Sequence, residues 1–359
     1  MKNWKGQRVL IIGAARQGLA LARFLICQGA DVTLNDQNPA EQMKNVIQSM
    51  EGYPVHWALG GHPLDLLENK DLVCLSGGIP LALPIIVEAQ RRGIPLSNDS
   101  QIFMEAVPCR VIGITGSAGK TTTTTLVGRM AQVAVQPPAK LWVGGNIGLP
   151  LIDQLDKIAP HDTVVLELSS FQLEQMTISP QVAAILNITP NHLDRHGTFA
   201  AYTAAKARIL TFQTERDAAV LSCDDPVTWG LAGQVRGRLI TFGRQRPPAG
   251  QLGTFVENNA IYLSNGGQCF KVIGCNDIQL RGDHNLLNVL AACAIAHAAG
   301  FSVSAMIAGI RGFTGVPHRL EYVRTLHGVD WYNDSIATAP ERTIAAIRSF
   351  QEPLVLLLG

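Results

Sequence analysis

The chain has 359 residues, 47% of them hydrophobic, and its 29 basic and 28 acidic side chains leave a formal net charge of +1. That length allows a large buried core and more than one domain. Without a basic excess or a run of like charges, neither nucleic acid nor an anionic membrane surface is an expected partner.

"MKNWKGQRVLIIG" passes from a charged start into an apolar run too short and wrongly flanked for a signal peptide. "RVLIIG" reads as a strand, "GLALARFLICQG" as a helix closed by Gly29, and "DVTLND" as the next strand, which makes a βαβ unit. Between the first strand and the helix, "GAARQG" (Gly13 to Gly18) is a degraded dinucleotide fingerprint with Ala15 in the second glycine position. Asp36 ends the next strand, where an acidic residue would meet a ribose. These residues alone leave open a tight turn, a nucleotide or nucleotide-sugar site, and a redox dinucleotide site. "DLVCLSGGIP" repeats the strand-then-glycine design, and "LPIIVEAQRRG" follows as a helix ending at Gly93.

A break falls near Pro108, and "RVIGITG" opens a second unit. In "GITGSAGKTTTTT", from Gly113 to Thr125, Ile114 belongs to the strand, and the loop reads T-G-x-x-G-K-T-T before a helix. Gly116 and Gly119 can turn backbone N–H groups toward an anion at that helix N-terminus. Lys120 would add charge at the outer phosphates, and the Thr121 hydroxyl would reach a magnesium ion. A glycine turn beside a solvated lysine is the plainer alternative.

Further strands are expected in "TVVLELSS", "VAAILNIT" and "DAAVLSCDD". Glu167 ends the first of these, as a magnesium ligand or a solvated strand-end charge. "NITPNHLDRHG" supplies His192, Asp194 and His196, and "AYTAAKARIL" places Lys206 on a helix, where a solvated lysine is the ordinary reading. From Arg238 to Leu280 the chain reads as hairpins. "NLLNVLAACAIAHAAG" reads as a buried helix, because His297, Gly300, Ser302 and Ser304 interrupt the apolar stretch. Asn285 and Asn288 share one helix face and can hydrogen-bond a base or cap the helix. A third start follows: strand "EYVRTLHGVDWYND", helix "APERTIAAIRSF", strand "PLVLLLG". Arg319 and Asp334 stand near it, as ligand contacts or as an exposed salt bridge. One βαβ start cannot enclose its own core, so this third domain is expected to be cut short. Cys27, Cys74, Cys109, Cys223, Cys269, Cys275 and Cys293 form no C-x-x-C pair, and reduced, mostly buried thiols in a cytoplasmic protein are expected.

In this order, "GITGSAGKTT", "GGNIG", "LELSSFQLE", "NITPNHLDRHG", "YTAAKARI", "GDHNLLNVLAA", "PHRLEYV" and "NDSIAT" resemble the Mur ligases over essentially the whole chain. "LELSSFQLE" with the histidine and lysine segments resembles the D-glutamate-adding branch. The resemblance implies an α/β protein of three domains. These are a Rossmann-like UDP-binding unit over 1–107, a central P-loop-type parallel-sheet ATPase over 108–316, and the beginning of a Rossmann-like amino-acid-binding unit over 317–359. It implies an ATP-dependent, amide-forming ligase of peptidoglycan synthesis, cytoplasmic and monomeric, whose small-molecule substrates are UDP-MurNAc-L-Ala and D-glutamate. An acyl phosphate is the implied intermediate.

On this resemblance Thr115, Gly116, Ser117, Ala118, Gly119, Lys120, Thr121, Thr122, Asn285, Asn288, Arg319 and Asp334 contact ATP, the two asparagines at adenine. Gly13, Arg16, Gln17, Asp36, Gly78, Asn146, Ser169 and His192 contact the UDP substrate, and Thr338 contacts D-glutamate. Two Mg²⁺ ions fall to Thr121, Glu167, His192 and a carbamylated Lys206, and Lys120, Glu167, His192 and Lys206 form the catalytic group. Three departures stand out: Ala118 at a position often Asn, Ile336 where many members have lysine, and the end at Gly359. The last leads to an expectation of ATP and UDP-precursor binding with little or no ligation. Alternatives are a related Mur or folylpolyglutamate-type ligase using another amino acid, and a nucleotide-binding regulatory fragment. Retention of Lys120, Glu167, His192 and Lys206 argues against the second. A nicotinamide dehydrogenase is disfavoured, since nothing downstream resembles a hydride-transfer site.

Overall fold

The computed structural model describes residues 2–338 and 340–358. In the first unit β1 (Arg8–Ile12), β2 (Asp31–Asp36), β3 (Val55–Leu59), β4 (Leu72–Leu75) and β5 (Leu96–Ser97) form a parallel sheet in the order β3-β2-β1-β4-β5. β1 and β4 are nearly continuous apolar runs because helices cover both faces. Connections leave β1 and β4 in opposite directions, which sets the turns at Gly13 and Ser76–Gly78 against each other at the strands' C-terminal edge, the switch point where open α/β sheets bind ligands. The helix Arg16–Cys27 packs tightly over that edge, and a Cβ on Gly18 would overlap the Gly13 carbonyl oxygen.

The second sheet contains β6 (Arg110–Thr115), β7 (Leu141–Gly145), β8 (Thr163–Glu167), β9 (Val182–Ile185), β10 (Ala218–Ser222), β11 (Arg238–Phe242), β12 (Leu252–Glu257), β13 (Ala260–Asn265) and β14 (Cys269–Gly274). Their order is β14-β13-β12-β11-β10-β9-β6-β8-β7. Alternate residues of β6 serve two cores. Val111 joins the apolar body shared with the first unit, whereas Ile112 and Ile114 pack under the helices Lys120–Ala134, Asp283–Ala298 and Val303–Ile310.

The expected hairpins from Arg238 to Leu280 are only half right. β11 lies parallel to β10 and β12 parallel to β11; antiparallel pairing begins at β12–β13. There Asn258 and Asn259, at φ of 46° and 55°, make the left-handed two-residue turn a hairpin needs. "RPPAG" instead lies in a connection that returns the chain to a parallel register, and short Thr/Val-rich runs look alike in either pairing.

The first two units are tied by hydrogen bonds, two between side chain and backbone and two between side chains. Asn98 donates to the Gln172 carbonyl (2.8 Å), Gln172 Nε2 to Ser100 Oγ (2.8 Å), Gln101 Nε2 to Thr177 Oγ1 (3.0 Å), and Thr177 N–H to Gln101 Oε1 (2.8 Å). Arg23 also pairs with Asp153.

In the third start, the expected single strand is a hairpin of β15 (Glu321–Leu326) and β16 (Val329–Asn333). His327 and Gly328, at φ of 50° and 77°, turn it, and "HG" inside the apolar run was the overlooked signal. The helix Pro340–Ile347 follows as expected, but the described residues 353–358 of "PLVLLLG" form no strand. Gly359 lies outside the described residues. Tyr322, Val323, Trp331, Ile344, Val355 and Leu357 are exposed here.

All seven cysteines are free, but only Cys74, Cys109 and Cys293 are buried; Cys27 is exposed and Cys223, Cys269 and Cys275 are intermediate. The expectation of mostly buried thiols is therefore corrected: Cys27 sits in an outward last helical turn, and the intermediate three lie at strand ends and loops. Among the described residues no helix is long and apolar enough to cross a membrane, and Asp283–Ala298 is buried as expected.

Candidate active site

The second unit's sheet brings the ends of β6, β8 and β9 side by side, and the loop after β6 enters the helix Lys120–Ala134. Gly119 caps that helix at φ 82°, and a Cβ there would overlap the Asn288 amide oxygen, so glycine is required twice over. Asn187, which the sequence reading passed over, clamps the loop. Its carbonyl accepts from Ser117 N–H (2.9 Å), its Oδ1 accepts from Ala118 N–H (2.9 Å), and its Nδ2 donates to the Ala118 carbonyl (3.2 Å). Among the described residues the N–H groups of Gly119, Lys120, Thr121 and Thr122 have no acceptor. The available anion cradle therefore begins at Gly119, where four backbone donors meet the positive end of a helix dipole.

Two lysines converge on one oxygen. Lys120 Nζ donates to the Gly116 carbonyl at 2.8 Å and Lys206 Nζ to the same carbonyl at 2.9 Å. Lys206 is 1% exposed and sits 4.7 Å from the Tyr202 ring centroid, and the solvated-lysine reading is wrong. Burial first, then the neighbouring Lys120, drives the Lys206 pKa well below its ordinary value; burial likewise lowers Lys120. Tyr202 lies one helical turn before Lys206, a spacing that could have found it, and its hydroxyl meets Ser117 Oγ at 3.0 Å.

Glu167, at the end of β8, is 1% exposed, so it is no solvated charge. Oε1 accepts from Asn146 Nδ2 at 3.0 Å, and Oε2 is buried without a hydrogen-bond partner. His192 has a left-handed backbone (φ 51°) and packs its ring against Phe171 at 5.3 Å. Burial and then Lys120 and Lys206 lower its pKa, favouring the neutral imidazole. His196 stacks on Phe171 at 5.0 Å and bonds Ser170 Oγ at 2.9 Å. Ser169 is held in a capping box with Gln172.

Arg319 reaches across from the third unit and donates to Thr121 Oγ1 at 3.2 Å. Asp334 accepts from Leu320 N–H at 3.0 Å, which ties its own loop without an ion pair to Arg319 among the described residues. Asn285 and Asn288 are buried: Asn285 donates to the Arg281 carbonyl (2.8 Å), and Asn288 donates to Asn285 Oδ1 (3.1 Å) and packs at Gly119. Thr338 is exposed on the loop after Asp334, away from any bond to the lysines. Thr115 is fully buried, and its hydroxyl accepts a long bond from Lys206 (3.5 Å).

The first unit's residues form a separate cluster at their own crevice. Gln17 Oε1 accepts from Gly77 N–H (3.2 Å), Arg16 is exposed at the helix start, and Gly78, at φ 90°, faces Arg195 of the second unit. The Asp36 carboxylate accepts from Ala14 N–H (2.9 Å) and Asn38 N–H (3.0 Å), so its first task is to fix the turn around Gly13.

Comparison with known proteins bears on this arrangement. The pattern of the Mur ligase middle domain matches residues 114–296, and that of the Mur ligase MurD-like N-terminal domain matches residues 7–98. A protein of Pelotomaculum thermopropionicum named UDP-N-acetylmuramoylalanine–D-glutamate ligase is 41% identical over 360 residues, covering 100% of this chain and 78% of its own length. The chain belongs to the Mur ligases. A Symbiobacterium thermophilum protein of the same name is 40% identical, covering 98% of this Mur ligase and 77% of itself. Among solved structures, a MurF ligase from Thermotoga maritima in complex with ADP superposes with a TM-score of 0.54 at 17% identity, over 97% of this chain and 75% of its own. A Neisseria meningitides ligase for UDP-N-acetylmuramate and L-alanyl-gamma-D-glutamyl-meso-diaminopimelate gives 0.57 at 17%, over 87% and 99%. These two likenesses carry the fold, which is the mixed α/β Mur ligase architecture the sequence implied.

Proposed function

We propose that this Mur ligase joins D-glutamate to UDP-N-acetylmuramoyl-L-alanine at the expense of ATP, through an acyl phosphate. The observation that carries the reading is the row of four free N–H groups at Gly119–Thr122 set beside Lys120, Lys206 and the buried Glu167. The relatives that match along the whole chain bear the name of that ligase.

The nucleotide's phosphates lie on the Gly119–Thr122 cradle, with Lys120 swinging from the Gly116 carbonyl to them. Asn285 and Asn288 stand beneath the loop and keep it in shape, and Arg319 closes from the third unit. The UDP end occupies the crevice of Gly13, Gln17 and Gly78, and Asn146, Ser169 and His192 receive the sugar side. The substrate carboxylate attacks the terminal phosphorus, ADP leaves, and the neutral amine of D-glutamate displaces phosphate from the acyl carbon. Thr338 is the proposed contact to the amino acid. Two anions must approach for the first step, so the cationic wall of Lys120 and Arg319 lowers the barrier.

The residues fit a magnesium site. Glu167 Oε2 is a buried carboxylate oxygen with nothing bound to it, and the imidazole of His192 is held neutral. Glu167, His192 and Thr121 would hold Mg²⁺, which supplies charge neutralisation at the phosphate oxygens. Burial that pushes the Lys206 amine toward its uncharged form also suits its carbamylation by CO₂, which would add a carboxylate-like ligand for a second ion. The protein is proposed to act as a cytoplasmic monomer.

Phosphate release is the test. Release that requires UDP-MurNAc-L-Ala and D-glutamate together supports the reading, and equal release with L-glutamate, L-lysine or meso-diaminopimelate overturns the choice of amino acid. Failure of calorimetry to detect ATP and UDP-precursor binding would remove the reading altogether.

A further inference from the structure

The segment that presents His192 contains a second histidine with no part in the chemistry above. His196 ends the short helix Leu193–His196, and its side chain is 1% exposed. An imidazole that deep needs polar partners, and His196 finds both on the helix Ser170–Leu173 and the residue after it. Nε2 meets Ser170 Oγ at 2.9 Å, and Nδ1 lies 3.0 Å from Glu174 Oε1, off the direction a hydrogen bond needs. The ring is stacked parallel to Phe171 at 5.0 Å and stands edge-on to Tyr202 at 5.2 Å.

These contacts join two separate stretches of chain. Ser170, Phe171 and Glu174 belong to the stretch that follows Glu167, whereas His196 closes the turn that begins at His192. His192 itself is poorly held. It is exposed, its backbone is left-handed at φ 51°, and its ring nitrogens make no hydrogen bond among the described residues. A non-glycine residue stays in that conformation where its surroundings hold it there. The His192 carbonyl accepts from Arg195 N–H (3.1 Å) and His196 N–H (3.0 Å), and the His192 ring rests edge-on against Phe171 at 5.3 Å. His196 thus stands at the other end of the same turn and stacks on the same phenyl ring.

We infer that His196 is a positioning residue for the metal site: its bond to Ser170 and its stacking on Phe171 fix the His192 imidazole relative to the Glu167 carboxylate. This rests on the magnesium reading above. Glu167 comes from the end of a strand and needs no further support, but His192 lies on a loop, and a ligand pair is only as well placed as its looser member. The His196–Ser170 bond is the shortest side-chain tie between the two stretches among the described residues. Groups that stand behind a metal's ligands and hold them in orientation set its affinity without touching it.

The experiment titrates the 359-residue chain with Mn²⁺ alone, read by electron paramagnetic resonance of the free ion, and with ADP in excess EDTA, read by calorimetry. His196→Phe keeps a flat ring against Phe171 and Tyr202 and removes both nitrogens, while Ser170→Ala removes the partner and leaves the imidazole. Each is expected to weaken Mn²⁺ by about tenfold or more, and metal-free ADP by less than about twofold. The double variant should lose no more than either single one, because both delete the same bond. His196→Gln, which can still bond Ser170, should recover part of the loss. Where His196→Phe does not fold, Ser170→Ala is the smaller change and carries the comparison. Unchanged Mn²⁺ affinity, additive losses, or equal weakening of metal-free ADP overturns the inference while leaving the magnesium reading intact. A wild-type chain whose Mn²⁺ binding is not lowered by Glu167→Gln defeats the magnesium reading, and the inference with it.

Discussion

Replacing Gly119 by alanine perturbs the phosphate loop at its most constrained atom. The residue sits at φ 82°, where a Cβ costs about 1–2 kcal/mol. The new methyl would also overlap Asn288 Oδ1 and push that amide away from Asn285 Oδ1 (3.1 Å) and from the Thr123 hydroxyl (3.5 Å). Losing one good and one weak buried hydrogen bond adds about 1–2 kcal/mol, so the total is about 2–4 kcal/mol. Urea unfolding followed by far-UV circular dichroism, without nucleotide, measures it as a shift in midpoint. Asn288→Ala removes the obstacle, so the double variant should be about 1 kcal/mol more stable than the sum of the single effects predicts. Strict additivity, or a Gly119→Ala cost below about 1 kcal/mol, would show that the loop is not held as described.

Asp99 is buried with Oδ1 unpartnered, and burial raises its pKa from 3.8 to about 6. The protein therefore has this group's full stability below about pH 4 and loses it as pH rises through about 6; Asp99→Asn should stabilise by about 1–3 kcal/mol at pH 7.5, with the gain vanishing near pH 4 in pH-resolved unfolding curves. Glu167→Gln should leave the metal-free protein as stable as wild type or more so while abolishing the extra thermal stability conferred by Mg·ATP, which at a hundredfold excess over Kd is about 2.7 kcal/mol in the wild type. An undiminished magnesium effect in that variant would exclude Glu167 as a ligand. Asn187→Ala, which unclamps Ala118, should cost about 1–2 kcal/mol and weaken ATP and ADP alike in calorimetric titrations.

The parallel sheets and the loop Gly116–Lys120 were legible in the sequence because strand, glycine turn and helix follow one another locally. Lys206 was not: an alanine-rich helix with one lysine reads as a solvated face, and only the three-dimensional approach to Gly116 shows it buried. Asn187 was invisible for the same reason, since its role lies in reaching a loop about seventy residues earlier. Local turn chemistry could have separated β15 from β16, because "HG" carries the needed φ signs, whereas the parallel return of β11 and β12 depends on neighbours no local pattern specifies.

The ties between Asn98, Ser100, Gln101 and the segment Gln172–Thr177 have a mechanical consequence. That segment begins five residues after Glu167, so the first unit is bolted to the short stretch that follows the buried carboxylate. The third unit, by contrast, meets the phosphate loop through Arg319 on Thr121, and Arg281 meets Glu352 at the surface. The two joints differ in stiffness. Were the third unit to swing against the other two, the first unit and the buried carboxylate would travel together as one jaw.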